Sequence, residues 1–466
     1  MIFQNIMQKR IGTLIPISAL FSSAQPKNNK GTFAAGLIFL DWLEKTHQSA
    51  WQLLPLYQTQ LEPSSTTKRV PSPYKSYGIG IDPKYLPASF VNHYPTEAEK
   101  KNFILNNSDW IHDYALFCAL ADYFQTDDWR KWDHNLKSRD ANALVYWRNK
   151  LTQEIDKYIT IQWQLHQSYM QLHNKAKKLH ISLQGDLPFY ICIQSPLVWA
   201  HQSVFDLEKD GSMQYISGVP NIPPSFFGRQ IWGHPLYNWE SKENWENIIS
   251  LWKIRLRYLA GLFDLIRLDY SKAFYNYGAM SVINKQNDGY RKGPGTVVFE
   301  ELINFCKKLE LSVFVEDSGN KIEEMRESMR ILNSPGVKIL RFGLDEKKDI
   351  VIGEYADVLH YPEFTVAYTT THDTETLLGY LYKLTPEQKQ RLAIAANVAY
   401  YPDDKTFAKT LRDAVLTSPA QAVIIPIQDW LLTTERINTP GTELPINDPN
   451  WNFHLNIPIE NLPTHF

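Results

Sequence analysis

Along this chain, short apolar runs recur that look like strands covered on both faces, and five of them run out into a carboxylate. The runs cover residues 50–56, 181–187, 263–269, 311–317, 337–342, 365–373 and 422–429. Asp186, Asp269, Glu316, Asp373 and Asp429 close five of them. Near-continuous hydrophobicity over so few residues suits parallel strands buried on both sides. In a parallel barrel, an acidic residue at the C-terminal tip of a strand faces the mouth where an active site is assembled.

Helical periodicity fills the gaps. Residues 157–179 carry Ile161, Leu165, Tyr169, Leu172 and Ala176 at three- and four-residue spacing, and 300–308 and 321–331 follow the same rule. Strand and helix therefore alternate, and the intervals between Asp269, Glu316, Asp373 and Asp429 each hold a βα unit with extra loop. A chain of 466 residues is long for one ordinary core but fits a single (β/α)8 barrel with insertions. We accordingly expect one α/β domain over 1–466, a (β/α)8 barrel with large insertions around its C-terminal mouth. A mostly helical, Trp-rich subdomain is expected over 90–155. A structured loop over 204–240, rich in proline and glycine (Pro220, Pro223, Pro224, Gly228, Gly233), is expected to lie over the site.

A formal net charge of −2 and a pI near 6.7 provide no general attraction to nucleic acid or anionic lipid. No apolar run reaches the roughly 18–20 residues needed to span a bilayer. Lys9 and Arg10 before the apolar stretch 11–21, with Ser22, Ser23 and Ala24 after it, imitate a secretion signal, but Pro16 interrupts the stretch. Cys118, Cys192 and Cys306 are scattered and lack the spacing of a zinc or redox motif. A reducing cytoplasm is the simplest location. The 14 Trp and 25 Tyr supply flat amphipathic rings that suit both core packing and the apolar faces of sugars.

Taken singly, an acidic residue after a strand is usually a helix cap or turn former. Carboxylates on successive strands can instead converge on one sugar. Retaining cleavage of a glycosidic bond needs a carboxylate nucleophile and a protonated partner about 5–5.5 Å apart. Arg267 and Asp269 are two apart on one strand, so both side chains point the same way. The guanidinium is expected to hold Asp269 ionised. Glu316, after Phe314 and Val315, is expected to have a raised pKa and to stay protonated as the acid. His372 and Asp373 offer adjacent groups for sugar hydroxyls.

The ordered set Gly185-Asp186-Leu187-Pro188, Arg267-Leu268-Asp269, Val315-Glu316-Asp317-Ser318-Gly319 and Thr371-His372-Asp373-Thr374 resembles the strand motifs of amylomaltases. These are the 4-α-glucanotransferases, or disproportionating enzymes, of the α-amylase superfamily. Ser72-Pro73-Tyr74, the stretch 229–237 (RQIWGHPLY), Pro426-Ile427-Gln428-Asp429, and 436–442 (RINTPGT) with Asn450-Trp451 extend the likeness over nearly the whole chain. The resemblance also makes the N-terminal apolar run the first barrel strand. It implies a retaining transfer of α-1,4-glucan segments to the 4-hydroxyl of an acceptor glucan or glucose. Asp269 would be the nucleophile, Glu316 the general acid/base and Asp373 the transition-state stabiliser. Ser72, Tyr74, Asp186, Gln230, Trp232, Arg267, His372 and Asn438 would bind the glucan. The implied substrate is a maltooligosaccharide or a starch- or glycogen-type glucan, and no metal or organic cofactor is implied.

The sequence departs from the family pattern at several places. Tyr270, Ser271, Lys272 and Ala273 follow the nucleophile where the family reads HFRG, Gln194 and Ser225 stand in place of acids, and Thr374-Glu375 follow Asp373. These changes leave two alternatives beside the transferase: an α-glucan hydrolase, and a glucan-binding protein with impaired catalysis.

Overall fold

Eight short parallel strands form one sheet whose ends nearly meet. The computed structural model describes residues 9–220, 228–319, 322–442, 444 and 447–466. Numbering only the barrel strands, these are β1 (Arg10–Leu14), β2 (Ala50–Gln52), β3 (Ser182–Pro188), β4 (Leu265–Asp269), β5 (Ser312–Val315), β6 (Gly336–Ile339), β7 (Thr365–Tyr368) and β8 (Ala422–Pro426). Their order, β5-β4-β3-β2-β1-β8-β7-β6, follows the chain around a (β/α)8 barrel. The remaining seam is bridged by the Val315 amide, which donates to the Pro335 carbonyl at 2.8 Å, and by Asp317 Oδ1, which accepts from the Val337 amide at 2.7 Å. At Gly336 a Cβ would come within 2.5 Å of Asp317 Oδ1, so this close approach requires glycine. Asp317 is a seam residue, and the apolar stretch that imitates a secretion signal supplies β1, paired to β8 and β2.

Strand alternation sorts the side chains into two cores. Leu265, Phe314, Val366, Tyr368 and Ile424 belong to a small cluster inside the barrel. Ile266, Leu268, Val313, Val315 and Val423 join the large cluster outside it, against the helices. Arg267 and Asp269 share the parity of Leu265 and therefore rise from the floor of the barrel toward its mouth.

The covering helices include α1 (Phe33–Lys45), α2 (Thr152–Lys178), α3 (Trp245–Ala260), α4 (Thr296–Lys308), α5 (Glu323–Leu332) and α6 (Asp404–Thr417). The stripe of Leu165, Tyr169, Leu172 and Ala176 on α2 is fully buried, as its spacing requires. Glu97–Asn106, Ile111–Phe124, His134–Lys137 and Ala141–Lys150 are helical. Trp110, Trp129, Trp132 and Trp147 of this stretch lie in the same apolar cluster as Trp51 and Leu183 of the barrel. No helix among the described residues is long and apolar enough to cross a membrane.

Two local readings need correction. The segment expected as a loop holds the strands Tyr215–Val219 and Gln230–Pro235, which join Asn276–Ser281 and Gly289–Lys292 in an antiparallel sheet. The partner strands come from beyond β4, a long-range pairing that local periodicity does not carry. Pro223, Pro224 and Ser225 lie outside the described residues. Asp429 is not at a strand tip, because β8 stops at Pro426 and Ile427–Leu431 is helical. Its carboxylate is 1 % exposed. It accepts from Thr369 and Thr370 Oγ1 at 2.5 Å each and from the Leu377 amide at 2.7 Å. It braces the loop that leaves β7.

Candidate active site

A cleft of about 600 Å³ opens at the C-terminal mouth of the barrel, and Asp269, Glu316 and Asp373 all line it. Asp269 is the last residue of β4, and Glu316 directly follows β5. Asp373 sits on the loop between β7 and the short helix Leu377–Leu381. Of the eight expected binding residues, Ser72, Tyr74, Gln230, Trp232, Arg267, His372 and Asn438 also line the cleft. Asp186 does not. It is 1 % exposed and lies beneath the lining, where it accepts from Tyr74 Oη and Arg267 Nη1 at 2.7 Å each.

Arg267 is the electrostatic centre. Its Nη2 donates to Glu316 Oε2 at 2.6 Å and lies 3.5 Å from Asp269 Oδ1. The nearest oxygens of the two carboxylates can be no farther apart than those two distances combined. That bound accommodates the roughly 5–5.5 Å of a retaining pair. Burial opposes the charge on Arg267, but Asp186, Asp269 and Glu316 outweigh it and keep the guanidinium protonated. Ser318 Oγ donates to the other Glu316 oxygen at 3.0 Å.

Arg267 favours the ionised form of Asp269, as expected, but it is outweighed. Burial, reinforced by Glu316, Asp186 and Asp373, pushes the Asp269 carboxyl well above the usual carboxylate range despite Arg267. The guanidinium sits closer to Glu316 and Asp186 than to Asp269, so it offsets the burial only in part. A proton on Asp269 relieves its repulsion by the neighbouring carboxylates.

Asp373 has the opposite character. Burial alone would raise its pKa, yet the charge and hydrogen bond of His372, the Asn438 amide and Arg267 hold it down to about 2. Asn438 Nδ2 donates to Asp373 Oδ1 at 2.7 Å, and His372 Nε2 lies 3.1 Å from Oδ2. Tyr74 Oη is 2.8 Å from the same Nε2, and the two rings stack at 5.6 Å with planes 13° apart. Because Tyr74 gives its proton to Asp186, His372 Nε2 acts as the donor toward Tyr74 and Asp373.

The walls are aromatic. Trp232 Nε1 donates to Gln230 Oε1 at 2.9 Å, and its ring meets Tyr270 edge-on at 4.8 Å. Tyr270 follows the nucleophile in the left-handed region (φ 57°), a turn that leaves its ring lining the cleft. Trp451 packs 5.2 Å from Tyr74 and 5.8 Å from His372. Lys272, 9 % exposed, keeps a cation in the cleft and lies over Tyr290 at 5.3 Å. Gln194 does not line the cleft. Tyr270, Trp451 and Ser318 were absent from the expected site residues, although all three stand in or beside the motifs that define it. Among the described residues, no group of three or more His, Cys, Asp or Glu side chains is arranged to hold a metal ion.

Comparison with known proteins bears on this site. The family model described as 4-alpha-glucanotransferase matches residues 83–459. The 4-alpha-glucanotransferase of Thermus thermophilus is 30 % identical over 366 residues, covering 76 % of this chain and 70 % of that protein. The 4-alpha-glucanotransferase of Aquifex aeolicus (strain VF5) is 29 % identical over 457 residues, 90 % of each. Among solved structures, amylomaltase from Streptococcus agalactiae in complex with acarbose superposes with a TM-score of 0.81 at 24 % identity, over 96 % of this chain and 95 % of that one. Amylomaltase from Corynebacterium glutamicum does so with a TM-score of 0.76 at 16 % identity, over 97 % and 73 %. These two share the fold.

Proposed function

Because the chain belongs to the 4-alpha-glucanotransferase family, we propose that Asp269, Glu316 and Asp373 carry its transfer reaction as a retaining double displacement on α-1,4-glucans. The observation that supports the assignment is the single Arg267 guanidinium that reaches both Asp269 and Glu316.

In the first half-reaction an Asp269 oxygen attacks the anomeric carbon. The bond to the leaving sugar oxygen breaks as Glu316 delivers a proton to it, and a glycosyl ester forms on Asp269. In the second, the 4-hydroxyl of an acceptor glucan or glucose attacks that carbon, gives its proton to Glu316 and frees Asp269. Burial favours the protonated form of Asp269, so a proton has to leave it before the attack, and Glu316 has to carry the one it delivers. Arg267 keeps the pair's summed charge tolerable while protons move. Asp373, held ionised, faces the positive charge that develops on the sugar ring.

Tyr74, Gln230, Trp232, His372 and Ser72 would contact the glucan, and Asn438 would orient Asp373. Asp186 acts one layer down, as a positioning residue for Tyr74 and Arg267. Transfer outruns hydrolysis when the ester is shielded from water while a sugar fills the acceptor position, and Trp232, Tyr270 and Trp451 supply such a shield. Donor and acceptor are maltooligosaccharides or starch- or glycogen-type chains. We further read 90–155 as an inserted subdomain and 204–240 as part of the cleft's cover. The three buried free cysteines fit a reducing cytoplasm.

Incubation with maltotriose should yield free glucose together with a ladder of longer maltooligosaccharides. Glucose and maltose alone would favour a hydrolase, and binding without turnover a protein that has lost catalysis.

A further inference from the structure

A second cavity of about 400 Å³ lies on the outer wall of the barrel, between α2, α3 and the helix Glu97–Asn106, and shares no lining residue with the cleft. That size is within the range of about 300–1,000 Å³ typical of small-ligand sites. Trp110, Trp163 and Tyr258 contribute aromatic surface, with the Trp110 and Tyr258 rings edge to face at 5.2 Å. Asn102 and Asn106, one helical turn apart and both exposed, present amides on the same side. Amide groups can donate to and accept from a hydroxyl at once.

The acidic and basic groups at this cavity are engaged with neighbouring protein groups. Arg257 pairs with Asp109, both of which line it. His166, on α2, also lines it; burial lowers its pKa, and its Nδ1 has no hydrogen-bond partner among the described residues. Glu99 is occupied at the helix start, where it accepts from the Thr96 amide and hydroxyl at 2.8 and 2.7 Å. A neutral polyol with one flat apolar face fits the combination of ring surface and amides.

We propose that this cavity is a second saccharide site, which takes a terminal glucosyl or maltosyl segment of a glucan whose other end lies in, or is destined for, the catalytic cleft. The proposal rests on the glucan-transfer reading in its choice of sugar. A non-catalytic anchor of this kind raises the effective concentration of a long chain at the cleft without any new contact there.

The test is calorimetric titration of maltoheptaose into the Glu316→Gln protein, which blocks turnover, with and without Asn102→Ala/Asn106→Ala. Both asparagines are exposed helical positions where alanine preserves the helix. The expected result is loss of one binding event in the asparagine variant. In the Glu316-intact background, maltotriose turnover stays unchanged while KM for amylose rises several-fold. A second variant, Tyr258→Ala, should lose the same event. Equal stoichiometry in parent and both variants, or an unchanged KM for amylose, overturns the site. Absence of any product ladder from maltotriose with the unmodified protein would instead overturn the transferase reading.

Discussion

Arg267 stands nearer to Glu316 than to Asp269, at 2.6 Å against 3.5 Å, although Asp269 is its neighbour but one on the same strand. Cross-strand register explains the preference. Arg267 pairs in register with Asp186 on β3 and Phe314 on β5, so its guanidinium reaches sideways into the space between three strands, where Asp186 and Glu316 meet it.

The first prediction concerns pH. Asp269 must be ionised to attack, and its folded pKa is raised. The acid limb of kcat/KM, which reports the free protein, should therefore lie above the ordinary aspartate value of about 3.9. Arg267→Leu removes the guanidinium beside Asp269, so it should move that limb further upward and lower kcat/KM by at least about 100-fold. A pH–rate profile on maltotriose reads both.

Stability should move in the opposite direction from activity. An ionised Asp269 with a raised folded pKa is unfavourable at neutral pH, and the penalty fades as pH falls through that folded value. Asp269→Asn should thus raise Tm at pH 7, with the gain shrinking toward pH 4, while kcat drops by at least about 10³. Thermal melts at several pH values check the sign.

Asn438 acts through Asp373. Asn438→Ala removes one of the groups that hold Asp373 near 2, so the carboxyl should titrate at higher pH. Activity should fall on the acid side and recover in part toward neutrality, with kcat reduced about 10-fold. An unshifted profile with a changed KM would show that Asn438 contacts sugar instead.

Asp429 is a brace, not a catalytic group. Asp429→Ala leaves Thr369, Thr370 and the Leu377 amide without their acceptor. Unfolding should become easier by about 2–5 kcal/mol. Denaturant titration measures this, and kcat per folded molecule should fall far less than in Asp269→Asn.

The legible parts of this molecule were those where a local pattern reports a tertiary fact. Alternation along residues 263–269 places Arg267 and Asp269 on one face, and the barrel needs that face inward. Asp429 misled because its run, 422–429, stays apolar through Pro426 into a helix, and proline there ends the strand while hydrophobicity continues. The antiparallel sheet around Gln230–Pro235 was hidden because its strands pair across a catalytic strand and its turn. Ser318 stood inside the motif at 315–319, and Tyr270 beside the nucleophile as a departure. Their contacts with Glu316 and Trp232 depend on side-chain directions that spacing alone does not set.

The central claim is a covalent sugar on Asp269, and trapping it is the most direct measurement. The Glu316→Gln protein, given a maltosyl fluoride whose departing fluoride needs no acid, should accumulate an ester when no acceptor is present. Peptide mass spectrometry after acid quench should find the added mass on the fragment containing Asp269. An adduct on another residue, or substrate consumption with no adduct under those conditions, would contradict the account.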